Sequence, residues 1–344
     1  VIRAALLTTY GEPPTVAERP APAPAAGEVP VAVEAVPITP LDVLCASGTS
    51  YFGTPTTPYV PGVQGVGRLD DGTPVWFGTS AGMRPGVDGS MATTVAVPTA
   101  DVVTLPSDVP LTLLAALGLS AVAAHGALTY AGDLTAGEQV VVLGAGGVVG
   151  QAAVQLARLG GARRVVAVSR SAKARARAEE LGASATVPFL PDDDVTTLAD
   201  RLRQALDGPV DLVLDPVFGV PAAAALRVLR PGGRLVNLGS AAGAISPVES
   251  AVLRSASLRM IGYTNNGLST QERAASLTLV AAHAAAGRLT VDHELVPFES
   301  VADAWSRQAE GTAAGRTQHH PVLLVLLPGP AQQALVERGE VTGC

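Results

Sequence analysis

Lysine is nearly missing from this chain: Lys173 is the only one in 344 residues, and arginine carries almost all the positive charge. Aromatic residues make up 3% and cysteines number two. So few aromatics exclude a stacking platform for single-stranded nucleic acid and leave Ala, Val and Leu to build the cores. Cys45 and Cys344 stand near opposite ends with no C-x-x-C pair, which excludes a disulfide framework and a thiolate zinc cluster. A net charge of −7 and a pI near 5.3 speak against a nucleic-acid or anionic-membrane surface and favour a small metabolite as partner. The opening residues hold no basic segment followed by an apolar core, so a cytoplasmic protein is expected. Residues 111–128 form an apolar run nearly long enough to span a bilayer. Thr112, Ser120, His125 and the Ala and Gly content make it a buried helix of a soluble domain instead.

What the chain does have is glycine at one junction. Val140-Val141-Val142-Leu143 leads into Gly144-Ala145-Gly146-Gly147-Val148-Val149-Gly150 and then Gln151-Ala152-Ala153-Val154-Gln155-Leu156-Ala157. The β-branched run predicts a strand buried on both faces, and the last stretch has helical spacing. Glycines between them allow positive φ and close backbone approach, so free N–H groups at the helix start can hold a pyrophosphate. Gly144, Gly146, Gly147 and Val148 are the candidate contacts. The strict G-x-G-x-x-G pattern would need glycine at Val149; the spacing here is G-x-x-G-x-x-G through Gly144, Gly147 and Gly150. A glycine-rich turn without a ligand is the competing reading.

Up to about residue 110, short alternating runs broken by Pro and Gly (4–7, 29–36, 65–69, 74–77, 91–97 and 102–105) predict a β-rich domain. From Gln139 onward strands and helices alternate: strands at 164–168, 187, 210–214, 234–238 and 257–263, helices at 172–181, 195–206 and 221–229. That rhythm implies a doubly wound parallel sheet of the α/β class. A helix at 271–286, strand-like 291–296, a helix at 301–309 and a strand at 322–327 follow, and these last pieces fit a return to the first domain. The polar segment 328–344 has no assigned role.

Several segments together carry a resemblance: Thr39-Pro40-Leu41-Asp42, Val60-Pro61-Gly62-Val63-Gln64-Gly65-Val66-Gly67, Gly89-Ser90-Met91-Ala92, the glycine turn, Leu181-Gly182-Ala183, Leu214-Asp215-Pro216 and Pro231-Gly232-Gly233-Arg234. With them the chain resembles the medium-chain dehydrogenase/reductase superfamily, in its zinc-independent quinone oxidoreductase-like branch. The resemblance implies a Rossmann doubly wound parallel sheet, residues 121–287, inserted into a discontinuous GroES-like β-barrel domain made of 1–120 and 288–344. Two positions depart from that pattern, Thr39 where Asn is usual and Gln64 where Glu is usual. Zinc-dependent relatives use a Cys and a His-Glu pair in these segments, which Val63-Gln64 cannot supply, so no catalytic metal is expected. His319 and His320 are adjacent before a strand and point to opposite faces, and His125, His283 and His293 have no ligand spacing.

In a Rossmann unit an acidic residue at the tip of the second strand selects NAD. Ser169-Arg170 stands there instead, followed by Lys173 and Arg175, a hydroxyl and positive charges suited to a 2′-phosphate. NADPH is the expected cofactor; Arg177 reads as solvating an exposed helix face. Loops at the carboxyl ends of later strands offer nicotinamide contacts: Asp215, Val217 and Phe218, then Leu238, Gly239 and Ser240, then Tyr263, Thr264 and Asn265. Asp215 before Pro216 has a turn role as its alternative. Without zinc no group stabilises an alkoxide, so the acceptor must delocalise its own charge, as quinones and α,β-unsaturated carbonyls do. The resemblance implies Tyr51 as proton donor, with packing as the alternative; Thr39 and Asp42 would orient substrate or ribose, or serve structure. Competing functions are a dedicated biosynthetic enoyl, enone or imine reductase and a non-catalytic NADPH-binding protein. The late strand 257–263 predicts a pairing edge and a homodimer.

Overall fold

The computed structural model describes residues 1–313 and 323–327. In the first part run β1 (Ile2–Leu6), β2 (Thr15–Arg19), β3 (Glu28–Ile38), α1 (Pro40–Ala46), β4 (Gln64–Arg68), β5 (Pro74–Gly78), β6 (Thr94–Pro98) and β7 (Val102–Thr104). Helix α2 (Leu111–Gly126) leads to β8 (Gln139–Leu143), α3 (Val148–Leu159), β9 (Arg164–Ser169), α4 (Ala172–Glu180), β10 (Ala185–Pro188) and α5 (Val195–Ala205). Then follow β11 (Val210–Asp215), α6 (Gly219–Leu226), β12 (Leu229–Asn237), α7 (Ser250–Ser255), β13 (Arg259–Gly262), α8 (Thr270–Ala285), β14 (His293–Pro297), α9 (Val301–Ala313) and β15 (Leu323–Leu327).

Strands β10-β9-β8-β11-β12-β13, in that order, make a parallel six-stranded sheet. Its order reverses at β8, and β8 explains why a strand here must be continuously apolar. Val140 and Val142 face one core with α2, α3 and α8, while Val141 and Leu143 face a second with α5 and α6; alternate side chains leave opposite faces of a strand. The other large sheet runs β14-β15-β3-β4-β5-β7, with β6 also on β3. Its late strands return from the far end of the chain: Leu324, Val325 and Leu326 pair antiparallel with Ile38, Pro37 and Val36. The β-domain built from both chain ends and the inserted parallel sheet are therefore both present.

One core runs between the two sheets, joining Ala35, Val66 and Trp76 of β3, β4 and β5 to α2 and the faces of α3 and α8. Helix α2 is the apolar 111–128 run, and 67% of its most apolar window is buried inside the fold. It is not one straight helix, because Gly118 at φ 25°, ψ −129° breaks it.

Elsewhere the elements differ from expectation at their ends. Strand β2 and helices α1 and α7 were not foreseen. Helix α6 stops at Leu226, and β12 starts at Leu229 rather than 234, running through Pro231 and Gly232. The expected strand at 91–97 begins only at Thr94; Ala92 makes an isolated bridge to Ala4. His319, His320, Cys344 and the 328–344 segment lie outside the described residues.

Candidate active site

The glycine turn closes between β8 and α3. Gly144 adopts φ +64°, and a Cβ there would come within 2.6 Å of Val217 Cγ1. At Gly150 a Cβ would overlap the Gly144 carbonyl oxygen, so this glycine lets α3 pack against the turn. Gly147 differs: its φ is ordinary, and a Cβ would meet nothing nearer than the Gly144 oxygen at 3.9 Å. The protein itself does not require a glycine at 147, so its missing side chain leaves room over the helix start. Gly147 is the N-cap and makes no side-chain cap bond, and first-turn N–H groups have no intrahelical acceptor. That is a cradle for a negatively charged group. The Gly146 carbonyl is occupied, accepting from Gln151 Nε2 at 3.1 Å; Val148 opens the helix.

At the tip of β9, Ser169 ends the strand and Arg170 is exposed, its guanidinium 5.0 Å from the centre of the Phe189 ring. Lys173, in the first turn of α4, is exposed as well. Ser171 caps α4 by accepting from Ala174 N. Arg175 does not reach outward; its Nη1 donates to the Ser169 and Arg170 carbonyls at 3.0 and 2.8 Å. Arg177 is not simply a solvated residue either, since it pairs with Glu180 and with Asp292, both at 2.9 Å.

The loops after β11 and β12 lie side by side at the carboxyl ends of the strands: Ala242 N donates to Val217 O at 2.7 Å and Leu238 N to Asp215 O at 2.9 Å. Asp215 is fully buried, and its carboxylate is taken up by this turn. Oδ1 accepts from Val217 N (3.0 Å) and Phe218 N (2.7 Å), Oδ2 from Asn237 Nδ2 (3.0 Å). Burial pushes its pKa up while these bonds pull it down. These bonds give Asp215 the turn role that the sequence offered as its alternative: it holds Val217 over Gly144. Gly239 fits tightly, a Cβ there lying 2.5 Å from Pro216 O, and Ser240 is exposed beside it.

Three residues expected at the chemistry sit in the other domain. Thr39 and Asp42 form the capping box of α1. Asp42 Oδ2 accepts from Thr39 N (2.7 Å) and Thr39 Oγ1 (2.6 Å), and Oδ1 accepts from Val63 N (2.9 Å). With both side chains buried and mutually bonded, they fasten α1 to the 60s loop, the structural one of the two roles that the sequence offered. The signal was present in the sequence: Thr at the cap, Pro40 next, an acid three residues on. Tyr51 is 78% exposed with its ring against Phe52, so it is not a packing residue.

Gln64, Tyr263 and Asn265, each singled out in the sequence, are joined through Leu119 in a polar cluster that sequence reasoning did not connect. Gln64 is 1% exposed, and its Oε1 accepts from Trp76 Nε1 (2.9 Å) and from Leu119 N (2.8 Å), at the break in α2. Its Nε2 has no hydrogen-bond partner among the described residues. On the other side of Leu119, the carbonyl accepts from Asn265 Nδ2 (2.9 Å), whose Oδ1 accepts from Tyr263 OH (3.0 Å). A separate groove of about 430 Å³, lined by Arg158, Arg177 and Arg288, lies at the far end of α3 from the glycine turn.

The family model described as zinc-binding dehydrogenase matches residues 148–282, from the start of α3 into α8. A quinone oxidoreductase-like protein 2 homolog of Nematostella vectensis is 28% identical over 231 residues, 66% of this chain and 62% of that one. The synaptic vesicle membrane protein VAT-1 homolog of Rattus norvegicus is 27% identical over 362 residues, 96% of this chain and 85% of that one. The solved quinone oxidoreductase from Thermus thermophilus, described also in complex with NADPH, is 27% identical with a TM-score of 0.76, covering 94% of this chain and 99% of that one. Together these similarities are consistent with the medium-chain dehydrogenase/reductase superfamily.

Zinc, named by the family model, finds no fitting donor set among the described residues. Among the described residues no three His, Cys, Asp or Glu gather. Cys45 is buried, its thiol pushed up to about 11 by burial and then by the Asp42 charge. The described histidines are engaged: His125 Nδ1 with Ser276 Oγ (2.9 Å), His283 Nδ1 with Arg288 Nε (3.1 Å), His293 Nδ1 with Val291 O (3.0 Å).

Proposed function

We propose that this chain is an NADPH-dependent reductase that passes hydride to a quinone or an α,β-unsaturated carbonyl without zinc. The observation carrying this reading is the tip of β9. Ser169 and the exposed Arg170 and Lys173 stand there with no carboxylate among them, one strand away from the glycine cradle. A 2′-phosphate would be held by Arg170 and Lys173 and by the Ser169 hydroxyl, with Gly144, Gly146, Gly147 and Val148 along the pyrophosphate. The NADPH complex described for the Thermus thermophilus enzyme supports the same choice.

Bound NADPH supplies the hydride. The nicotinamide would lie among Val217, Leu238, Gly239, Ser240 and Asn265, at the carboxyl ends of β11 to β13. Among the described residues no His, Cys, Asp or Glu cluster offers a metal ion a seat; a substrate that spreads the developing charge itself fits such a cleft, with the proton coming from water or the exposed hydroxyl of Tyr51. We take residues 1–120 with 288–344 as the substrate-side domain and 121–287 as the cofactor domain. Strand β13 ends its sheet with Met260 38% exposed. An unpaired edge of that kind invites pairing, and a homodimer is proposed across it.

NADPH consumption measured over a panel of acceptors tests the reading. Turnover of several quinones and enones supports it. Activity on one scaffold alone supports a dedicated biosynthetic reductase, and tight NADPH binding without transfer to any acceptor supports a cofactor-binding protein.

A further inference from the structure

Helix α2 is broken where Gln64 enters it. Leu119 N–H, which an unbroken helix would give to the carbonyl four residues back, goes to Gln64 Oε1 at 2.8 Å. A side chain inserted into the helical ladder is a recognised cause of a kink. The insertion needs a glycine: a Cβ on residue 118 would overlap the Gln64 amide, and φ 25° with ψ −129° is a conformation L side chains rarely adopt. The Gln64 amide is itself oriented unambiguously, because two N–H groups, Trp76 Nε1 and Leu119 N, converge on one atom, which must be the oxygen. Leaving Nε2 buried and unpaired carries a desolvation cost. That cost is retained at a position whose other atom sets the helix break.

The break has a second contact. The Leu119 carbonyl accepts from Asn265 Nδ2, and Asn265 Oδ1 accepts from Tyr263 OH, so both ends of the Asn265 side chain are held. The path Gln64–Leu119–Asn265 therefore runs from β4 of one domain, through α2, to the loop after β13 of the other.

We propose that Gln64, matched to Gly118, is a positioning residue for the nicotinamide end of the cofactor. It sets the direction of the Leu119 carbonyl, which fixes Asn265 and with it the 264–267 loop. The inference rests on the NADPH reading above, with Asn265 beside the nicotinamide. Gln64 touches neither cofactor nor substrate; it acts through Leu119.

Calorimetric titration with two ligands tests it: NADPH, and 2′,5′-ADP, which has the adenosine phosphates but no nicotinamide. Gln64→Leu and Gly118→Ala are expected to weaken NADPH about tenfold, the loss of one buried hydrogen bond's worth of positioning, and to leave 2′,5′-ADP within about twofold. Gln64→Glu keeps an oxygen acceptor in either protonation state and is expected to rescue NADPH affinity to within about threefold of wild type. Asn265→Ala, on an exposed loop, keeps the test alive if the core variants fold poorly. It should reproduce the loss, and Gln64→Leu should add nothing to it. Equal losses for both ligands, additive losses in the double variant, or unchanged NADPH affinity in Gln64→Leu overturn the inference. Wild-type protein that binds 2′,5′-ADP and NADPH no better than NADH overturns the cofactor reading itself, and the positioning role with it.

Discussion

The Arg175 guanidinium holds the Arg170 carbonyl at 2.8 Å, and the same Nη1 reaches the Ser169 carbonyl at 3.0 Å. A positive charge that the sequence offered as a phosphate ligand is thus a brace for the backbone that presents the ligand. Arg175→Ala is expected to raise the NADPH KM about three- to tenfold through loss of about one charge-assisted hydrogen bond, with kcat little changed. Steady-state kinetics check this, and a collapse of kcat at unchanged KM would contradict it.

Asp42 accepts three hydrogen bonds from Thr39 and Val63 while buried. Asp42→Asn puts an NH2 group against N–H or O–H donors, and is expected to cost about 1–3 kcal/mol of stability. NADPH affinity should stay within about twofold. Thermal melts and titration separate this from a catalytic role, which would lower kcat with the melting temperature intact.

Arg234 is buried and uses all five N–H groups. Nη1 and Nη2 grip Glu138 at 2.7 and 2.6 Å, and the Gly132, Asp133 and Asp211 carbonyls take the rest. Arg234→Ala would strip the half-buried Glu138 of its two-pronged partner, leaving it Thr135 N at 3.1 Å and Arg230 at 3.7 Å, and is expected to cost about 3 kcal/mol. A chemical denaturation midpoint that does not move would contradict this.

His125 and His283 titrate low, each through burial first; the His283 charge adds to the first and the Arg288 charge to the second. Arg288 Nε donates to His283 Nδ1, which therefore carries a lone pair. The folded state binds these protons less readily than the unfolded chain does. Their contribution is present above the unfolded imidazole value, about 6.5, and is lost as pH falls through the lower folded values. The melting temperature should begin to fall below about pH 6.5, before the carboxylates titrate, and fall less in His283→Gln. A flat profile down to about pH 5 would contradict this.

The layer order and the glycine turn were legible because both are written in local periodicity. Val140 to Leu143 must be apolar at every position to satisfy two cores, and Gly144 and Gly150 are glycines for reasons one turn of chain imposes. Helix α1 was announced by Thr39, Pro40 and Asp42 but is only seven residues long, and those residues drew attention as chemistry rather than as a cap. Asp215 likewise looked like a ligand, because only the fold brings Asn237 and the Val217 and Phe218 amides onto its oxygens. The Gln64–Gly118 match was not legible: 54 positions separate the partners, and a single glycine in an apolar helix pattern does not say what enters the gap.

Selection of NADPH by the tip of β9 is measured most directly by comparing NADPH and NADH dissociation constants for wild type and Arg170→Ala. The expected result is a wild-type preference for NADPH that falls about tenfold or more in the variant, the share of one charged hydrogen-bonding contact to phosphate, with NADH affinity unchanged. Equal losses for both cofactors, or a wild-type preference for NADH, would contradict it.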